Sequence, residues 1–409
     1  MTLLQAEPGA GKTTRVPPAL LKAGFDQVYV LEPRRLAARM AARRVAEEMG
    51  EPVGKTVGFQ VRFEQMGGPG TRLWYLTEGV LTHRLLGGGR LHPNSVVILD
   101  EFHERHLETD LAFALLRNFE TRLLIMSATL PQFPGAPLIR APGRLFPVTV
   151  EYRPHSAADA VARALTQTKK HILVFLPGAA EIRNTIAACQ PVARQAGAQL
   201  LPLYGDLSSM EQDLAVAPSS TRKIICSTNV AESSITIDGV DAVIDSGLAR
   251  VLNYSPWNGL SRLEIQKISQ ASAIQRAGRA GRTGPGLAIR LYPESDFVRR
   301  PEHIAPEILR ADLSLLVLQL AASGIEPAKL PWLDPPPESA LRSARELLAR
   351  LGAAGSVARQ MAKLSVHPRL ARMILAAAEM GDLREACDVA ARLSETGAGN
   401  IARLGRQLE

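Results

Sequence analysis

Short, uninterrupted apolar runs recur through the first 300 residues, and they constrain the fold more than any other feature of this chain. Candidate strands are Thr2–Gln5, Val28–Leu31, Leu73–Thr77, Val96–Asp100 and Leu123–Ser127. Helix-period stretches such as Arg34–Met49 and Glu78–Leu86 separate several of them. A strand without polar alternation is buried on both faces, which implies a parallel sheet covered by helices. After the Pro/Gly-rich break at Pro131–Pro147 a second series begins: His171–Leu176, Leu200–Leu203, Lys223–Ser227, Ala242–Asp245 and Leu287–Tyr292. The expected core is therefore two α/β units of about 150 residues each. Past residue 300 the pattern turns helical, with an amphipathic stretch at Glu307–Ala322, a rigid PWLDPPP connector at 331–337 and a helix at Glu338–Leu351.

At 46% hydrophobic residues, the 409-residue chain can fill such cores. Cys189, Cys226 and Cys387 lie far apart and form neither a CxxC pair nor a disulfide framework, which favours a reducing compartment. Met1–Gln5 leads straight into a glycine loop rather than a signal peptide, and the apolar runs are too short to span a membrane. A soluble, cytoplasmic protein is expected. The net charge of +8 suits nucleic acid, although a chain rich in Arg throughout would carry it for other reasons.

The first strand feeds AEPGAGKTT at 6–14. Gly9, Ala10 and Gly11 let backbone amides turn toward phosphate oxygens at a helix N-terminus. Lys12 would reach the β and γ phosphates, and the hydroxyl of Thr13, followed by Thr14, would join a Mg²⁺ shell. The phosphate-loop pattern places glycine where this chain has Ala6, a small residue that keeps the turn feasible. Such a loop requires a distant acid at a strand end, and VVILDE at 96–101 supplies one. Asp100 would position Mg²⁺, and Glu101 would act as general base on the attacking water. The surrounding LDEFHERH admits another reading, since His103 and His106 stand three apart beside Glu101 and Glu104. No Cys/His group elsewhere has the spacing to complete a zinc site, so that reading weakens.

Taken in order, GAGKTT (9–14), LEPRRLAARMAARRVAEEMG (31–50), VGFQVRFE (57–64), TEG (77–79), DEFHER (100–105), SAT (127–129), STNVAESSITIDG (227–239) and SRLEIQKISQASAIQRAGRAGRTGPG (261–286) resemble the motif series of DEAH/RHA-type superfamily 2 helicases. Phe102, where the eponymous motif has alanine, points to the bacterial HrpB branch. The resemblance implies two tandem RecA-like P-loop NTPase domains with parallel sheets (1–148 and 149–300), a small winged-helix domain (301–365) and the start of a helical-bundle domain (366–409) within a larger parent protein. It implies ATP and Mg²⁺ as cofactors. Carried over by position, His103 bridges to Gln275, Ser127 and Thr129 couple motifs within the first domain, and Gln275 helps orient water. Arg279 and Arg282 become arginine fingers, and Thr236, Asp238 and Arg44 contact ribose and base. The aromatic partner of Arg44, expected near Ala215, is not evident.

The same resemblance places Arg34, Arg35, Arg62 and Thr77 on the nucleic-acid backbone from the first domain, and Thr228 and Asn229 from the second. Contacts to a backbone give affinity with little base specificity. Arg250–Ile268 reads as two β arms around SPWNG, with Asn258–Gly259 a turn signal. AAGSVARQMA at 353–362 leaves room for only a small wing. The expected function is a monomeric ATP-dependent helicase moving 3′ to 5′ along one strand, RNA favoured over DNA. An ATP-gated RNA clamp and a DNA-directed helicase are the competing readings.

Overall fold

The computed structural model describes residues 1–7, 9–119, 121–131, 133–143, 146–233, 235, 237–255 and 260–396. Thr236, the centre of the SPWNG turn and residues 397–409 lie outside them. The first 141 residues build one sheet and its helices: β1 (Thr2–Ala6), α1 (Lys12–Lys22), β2 (Gln27–Glu32), α2 (Arg35–Glu48), β3 (Val57–Val61), β4 (Glu64–Met66), β5 (Leu73–Thr77), α3 (Glu78–Leu86), β6 (Ser95–Leu99), α4 (Leu107–Asn118), β7 (Leu123–Ser127) and β8 (Leu138–Ala141). The strand order is β4-β3-β5-β2-β6-β7-β1-β8, parallel except for the β3–β4 hairpin. Val97, Ile98 and Leu99 are almost wholly buried because helices cover both faces, the arrangement their unbroken apolar sequence requires.

A second sheet follows. It comprises β9 (Val148–Tyr152), α5 (Ala157–Gln167), β10 (His171–Phe175), α6 (Ala179–Gln195), β11 (Gln199–Leu203), α7 (Ser209–Val216), β12 (Lys223–Ser227) and β13 (Val240–Asp245). An antiparallel ribbon, β14 (Leu248–Ser255) with β15 (Leu260–Lys267), stands apart from it. Then come α8 (Gln270–Gly278), β16 (Gly286–Arg290) and α9 (Glu294–Val298). The parallel order is β11-β12-β10-β13-β16-β9. Val148 pairs with Gly286 at the start of this sheet, and the Phe146 amide already donates to the Gly281 carbonyl over 2.9 Å. The chain thus changes sheets between Ala141 and Phe146, slightly ahead of the expected boundary.

The remaining helices are α10 (Ser314–Ala322), α11 (Glu338–Arg350), α12 (Gly355–Lys363), α13 (Pro368–Met380) and α14 (Leu383–Thr396). Two expectations are corrected here. Glu307–Ala322 is not one helix: a single 3₁₀ turn at Glu307–Leu309 ends, and α10 begins only where Asp312 accepts from the Ser314 amide over 2.7 Å. Residues 353–362 form no wing; Ala, Gln, Met and Lys favour helix, and α12 occupies the stretch. Ile308, Leu316, Val317, Leu341 and Met361 share one apolar core with Leu31, Leu99 and Phe113, so these helices are packed on one face of the first sheet. No helix among the described residues is long and apolar enough to cross a membrane.

The two sheets also share a core. Leu36 of α2 is buried among Phe175, Leu203, Ile225 and Ile237 of the second unit, a burial worth roughly 1.5–3 kcal/mol. Around it Arg39 donates to Gln212 over 2.9 Å, and Arg43 pairs with Asp213 at 2.7 Å.

Candidate nucleotide and nucleic-acid site

At this seam the loops that follow β1 and β6 face the segments around Ser233, Gln275 and Arg282 of the second unit. Gly9 and Gly11 adopt positive φ values of 85° and 79°, which let the loop between β1 and α1 turn its amides toward its own concavity. Lys12 is buried, its ammonium donating to the carbonyls of Ala6 (2.9 Å) and Glu7 (3.4 Å). Thr13 donates its hydroxyl proton to Asp100, and Tyr75 fixes the turn from below by donating to the Thr13 carbonyl over 2.7 Å. Burial and the neighbouring Glu101 push the Asp100 carboxyl up to about 6. This is an all-oxygen donor set of hydroxyl and carboxylate, which fits a hard cation such as Mg²⁺ bound largely through water and phosphate. Among the described residues no group of three or more His, Cys, Asp or Glu side chains could hold a metal, so the zinc reading of LDEFHERH fails.

The DEFHER segment leaves the strand at Leu99 rather than Asp100, and it is backbone-strained at both ends. Glu101 and Arg105 each hold φ at 49°, bracketing the 3₁₀ turn Phe102–Glu104. Phe102 is wholly buried against Phe113 (5.6 Å) and Phe133 (6.1 Å), a pocket that an alanine there would leave unfilled. Glu101 keeps one carboxylate oxygen, Oε2, buried without a hydrogen-bond partner.

His103 makes the expected bridge, and the network fixes its tautomer. The Ser127 hydroxyl has one proton and donates it to the Thr129 carbonyl over 2.6 Å. It must therefore accept from His103 Nδ1–H at 3.0 Å, which leaves Nε2 to accept from the Gln275 amide at 3.1 Å. A hydrogen-bonded line thus runs from Thr129 through Ser127 and His103 to α8 of the second unit. His106, by contrast, stands at the N-cap position of α4 without a side-chain capping bond, its ring 3.4 Å from the Glu104 carboxylate.

The arginines divide. Arg282 crosses the seam: a Cβ placed on Gly9 would lie 3.7 Å from its Nε, so this guanidinium sits over the phosphate loop. Burial pushes it down to about 10 against the opposing pull of Glu101 and Asp238. Arg279 does not reach the loop. Its three nitrogens donate to the carbonyls of Glu232, Ser233 and Ile235, bracing the segment after β12. Arg276, to which sequence reasoning gave no role, is wholly buried between Glu232 and Asp245, each at 2.8 Å, and over the Phe175 ring.

Of the expected strand contacts, Arg35, Arg62 and Asn229 are exposed, while Thr77 and Thr228 are half-buried at strand ends. Arg34 is placed differently. It makes a bidentate pair with Glu104 at 2.6 and 2.7 Å and donates to Ser233 of the second unit at 2.6 Å. Although burial alone would raise it, the Glu104 carboxyl is brought down to about 2 by the charge of Arg34. Arg44 is exposed and paired with Glu48, with Asp238 adding to its field, and Ala215 is core, so no aromatic arises from that position.

Two other residues here lie inside the quoted motifs but were given no role by them. Glu32 ends β2 completely buried, and burial together with Asp100 and Glu101 raises its carboxyl far above the usual range. Arg105 pairs with Asp110 (2.8 Å) and with Asp334 of the C-terminal connector (2.6 Å), tying the DEFHER segment to the helices beyond residue 300. The only advance signal for Glu32 was a charged residue closing an otherwise apolar strand.

Comparison with known proteins agrees with the motif order. Residues 156–284 match the helicase conserved C-terminal domain. The chain is 42% identical to the ATP-dependent RNA helicase HrpB of Escherichia coli (strain K12), across 96% of this chain and 52% of that protein. It is 36% identical to the probable ATP-dependent RNA helicase DHX34 of Homo sapiens, over 96% of this chain and 38% of that one. The crystal structure of the Escherichia coli DEAH/RHA helicase HrpB superposes with a TM-score of 0.86 at 40% identity, covering 96% of this chain and 54% of that chain. This chain therefore spans about half the length of HrpB.

Proposed function

We propose that this chain, a DEAH/RHA-type helicase sequence close to HrpB with two RecA-like domains, hydrolyses ATP at the seam between its sheets and moves along RNA as it does so. The observation that carries the reading is the split site. Lys12, Asp100 and Glu101 belong to the first sheet, Gln275 and Arg282 to the second, and Arg282 already lies over Gly9. In this reading Lys12 leaves the Ala6 carbonyl for the β and γ phosphates. Glu101, with an oxygen not yet bonded, takes the proton of the attacking water. Gln275 orients that water, while Arg282 meets the charge gathering on the transferred phosphoryl group. Bound Mg²⁺ would supply charge neutralisation at the phosphates, held by Thr13 and Asp100. Once the γ-phosphate leaves, the attraction between Arg282 and the first sheet weakens, and the domains are free to part.

RNA is favoured because the relatives are named RNA helicases. Arg35, Arg62 and Asn229 are exposed for backbone contact, with Thr77 and Thr228 at adjoining strand ends. Arg34 serves instead to clasp the two domains. Movement is 3′ to 5′ and separates duplexes ahead of the ribbon. An ATP-gated clamp, which closes on RNA without strand separation, is the second reading; Arg34, bonded to Glu104 and, across the seam, to Ser233, would serve it equally well.

ATPase rate and strand displacement, measured with 3′- and 5′-overhang RNA and DNA duplexes, test both. RNA-stimulated turnover with displacement only from the 3′ overhang supports the motor. Stimulated turnover with no displacement from either end supports the clamp, and turnover indifferent to both nucleic acids sinks the proposal.

A further inference from the structure

Glu32 is wholly buried at the end of β2, and neither of its carboxylate oxygens has a hydrogen-bond partner. Strand alternation shows where it points. Val28, Val30 and Glu32 share one face of the sheet, and the two valines pack in the core that holds Tyr75, Ile98 and, from the phosphate-loop helix, Val16 and Leu20. Asp100 lies two residues beyond Ile98, and its amide donates to the carbonyl of Leu31 over 3.1 Å. Its side chain turns to that same face, where it receives the Thr13 hydroxyl. Glu32, at the end of β2, and Asp100, one residue past the end of the adjacent β6, therefore stand side by side beneath the loop.

A buried carboxyl with no bonded oxygen weakens a fold. A glutamate here is also flanked by other acids, Asp100 and Glu101, which compounds the cost. Such a group is retained where it has a ligand to meet. Mg²⁺ takes only one or two carboxylates directly and keeps several waters, each of which carries protons to donate.

We propose that Glu32 is a positioning residue for the metal that accompanies the nucleotide: its carboxylate accepts hydrogen bonds from metal-bound water, one layer out from Thr13 and Asp100. The inference rests on the nucleotide reading of this site. It gives the site a third acidic residue, one that lies inside the 31–50 motif but was given no role there, and it makes the empty first domain less stable than its metal-bound form.

The test uses Mn²⁺ as a paramagnetic probe, titrated into the full chain with a non-hydrolysable ATP analogue and followed by electron paramagnetic resonance. Glu32→Leu should bind Mn²⁺ about 10–100-fold more weakly, the usual range for loss of such an outer partner. Glu32→Gln should fall between it and the unaltered chain. Affinity for the analogue in EDTA should be the same in all three, which separates loss of metal from damage to the loop. Without nucleotide, Glu32→Leu should melt at a higher temperature. Equal Mn²⁺ affinity in Glu32→Leu overturns the proposal; if that variant does not fold, equal affinity in the near-isosteric Glu32→Gln overturns it. Should the unaltered chain not bind the analogue at all, the nucleotide reading itself fails.

Discussion

On the first domain's side of the seam, Glu32 keeps both carboxylate oxygens buried without a hydrogen bond, and Glu101 keeps one, which lies 3.5 Å from His103 Nδ1; on the second domain's side, Arg279 commits all three guanidinium nitrogens to its own loop. Arg276 is held between Glu232 and Asp245 through Nε and Nη1, with Nη2 buried and without a hydrogen-bond partner. The first side leaves buried anionic oxygens open, while the second ties most of its cationic nitrogens to its own acceptors. The difference teaches which partner is assembled by ligand. An acidic edge with open oxygens is completed by what binds to it, whereas Arg279, with every guanidinium nitrogen on its own loop, helps hold a shape from which Arg282 reaches across the gap.

The contrast can be broken in order of expected effect. Arg282→Ala should lower ATP turnover by about 10³–10⁵, the worth of an arginine that completes a phosphoryl-transfer site. Arg279→Ala, made alongside it, should depress the melting temperature more than Arg282→Ala does, because it unties the loop at 232–235. A finger role for Arg279 equal to that of Arg282 would show as the same turnover loss with no change in melting. On the open side, Glu101→Gln should cut turnover by about 10²–10⁴ with nucleotide binding retained, and unimpaired single-turnover hydrolysis would remove its role as base. Arg276→Met should destabilise the second domain by about 3–5 kcal/mol in chemical denaturation, since Glu232 and Asp245 would be left without their shared cation. A change below 1 kcal/mol would mean that the braced half owes its shape to something else.

The smallest effect concerns acid. Glu104 titrates near 2 in the folded chain, below its ordinary 4.5, so the clasp with Arg34 and Ser233 contributes fully above pH 4.5 and is lost as pH falls toward 2. Stability measured between those limits should decline less steeply in Glu104→Gln than in the unaltered chain.

Much of this was legible in the chain itself. Unbroken apolar runs placed the central strands of both sheets, because burial on two faces leaves no room for polar alternation. The phosphate loop and DEFHER segment were legible because their chemistry fixes residue types at fixed spacing. The edges were less so. β8 (LIRA) is exposed along its length and β9 (VTVEY) only partly covered, and both are too short and too close to the Pro/Gly-rich break to stand out as strands. The assignments of Arg34 and Arg279 failed to foresee local geometry for a shared reason: a motif fixes an arginine's position but not which of several nearby acceptors its long side chain reaches. Glu32 was invisible because burial without a partner is a property of three dimensions only.

The β14–β15 ribbon has a mechanical consequence. At its root Gly247 turns with φ of 72°, where any side chain would strike Tyr292, and Arg300 donates to its carbonyl at 2.8 Å. Further out, Arg310 donates to the Leu252 carbonyl at 3.0 Å, and nearby Asp312 accepts from His367 at the start of α13. The ribbon is thus a lever with a stiff hinge and a strut. A push on its outer arm is shared between the second sheet and the C-terminal helices, and through Asp334 and Arg105 those helices are fastened to the strained segment that carries Glu101. Force applied to the ribbon and chemistry at the phosphate loop therefore act on one continuous frame.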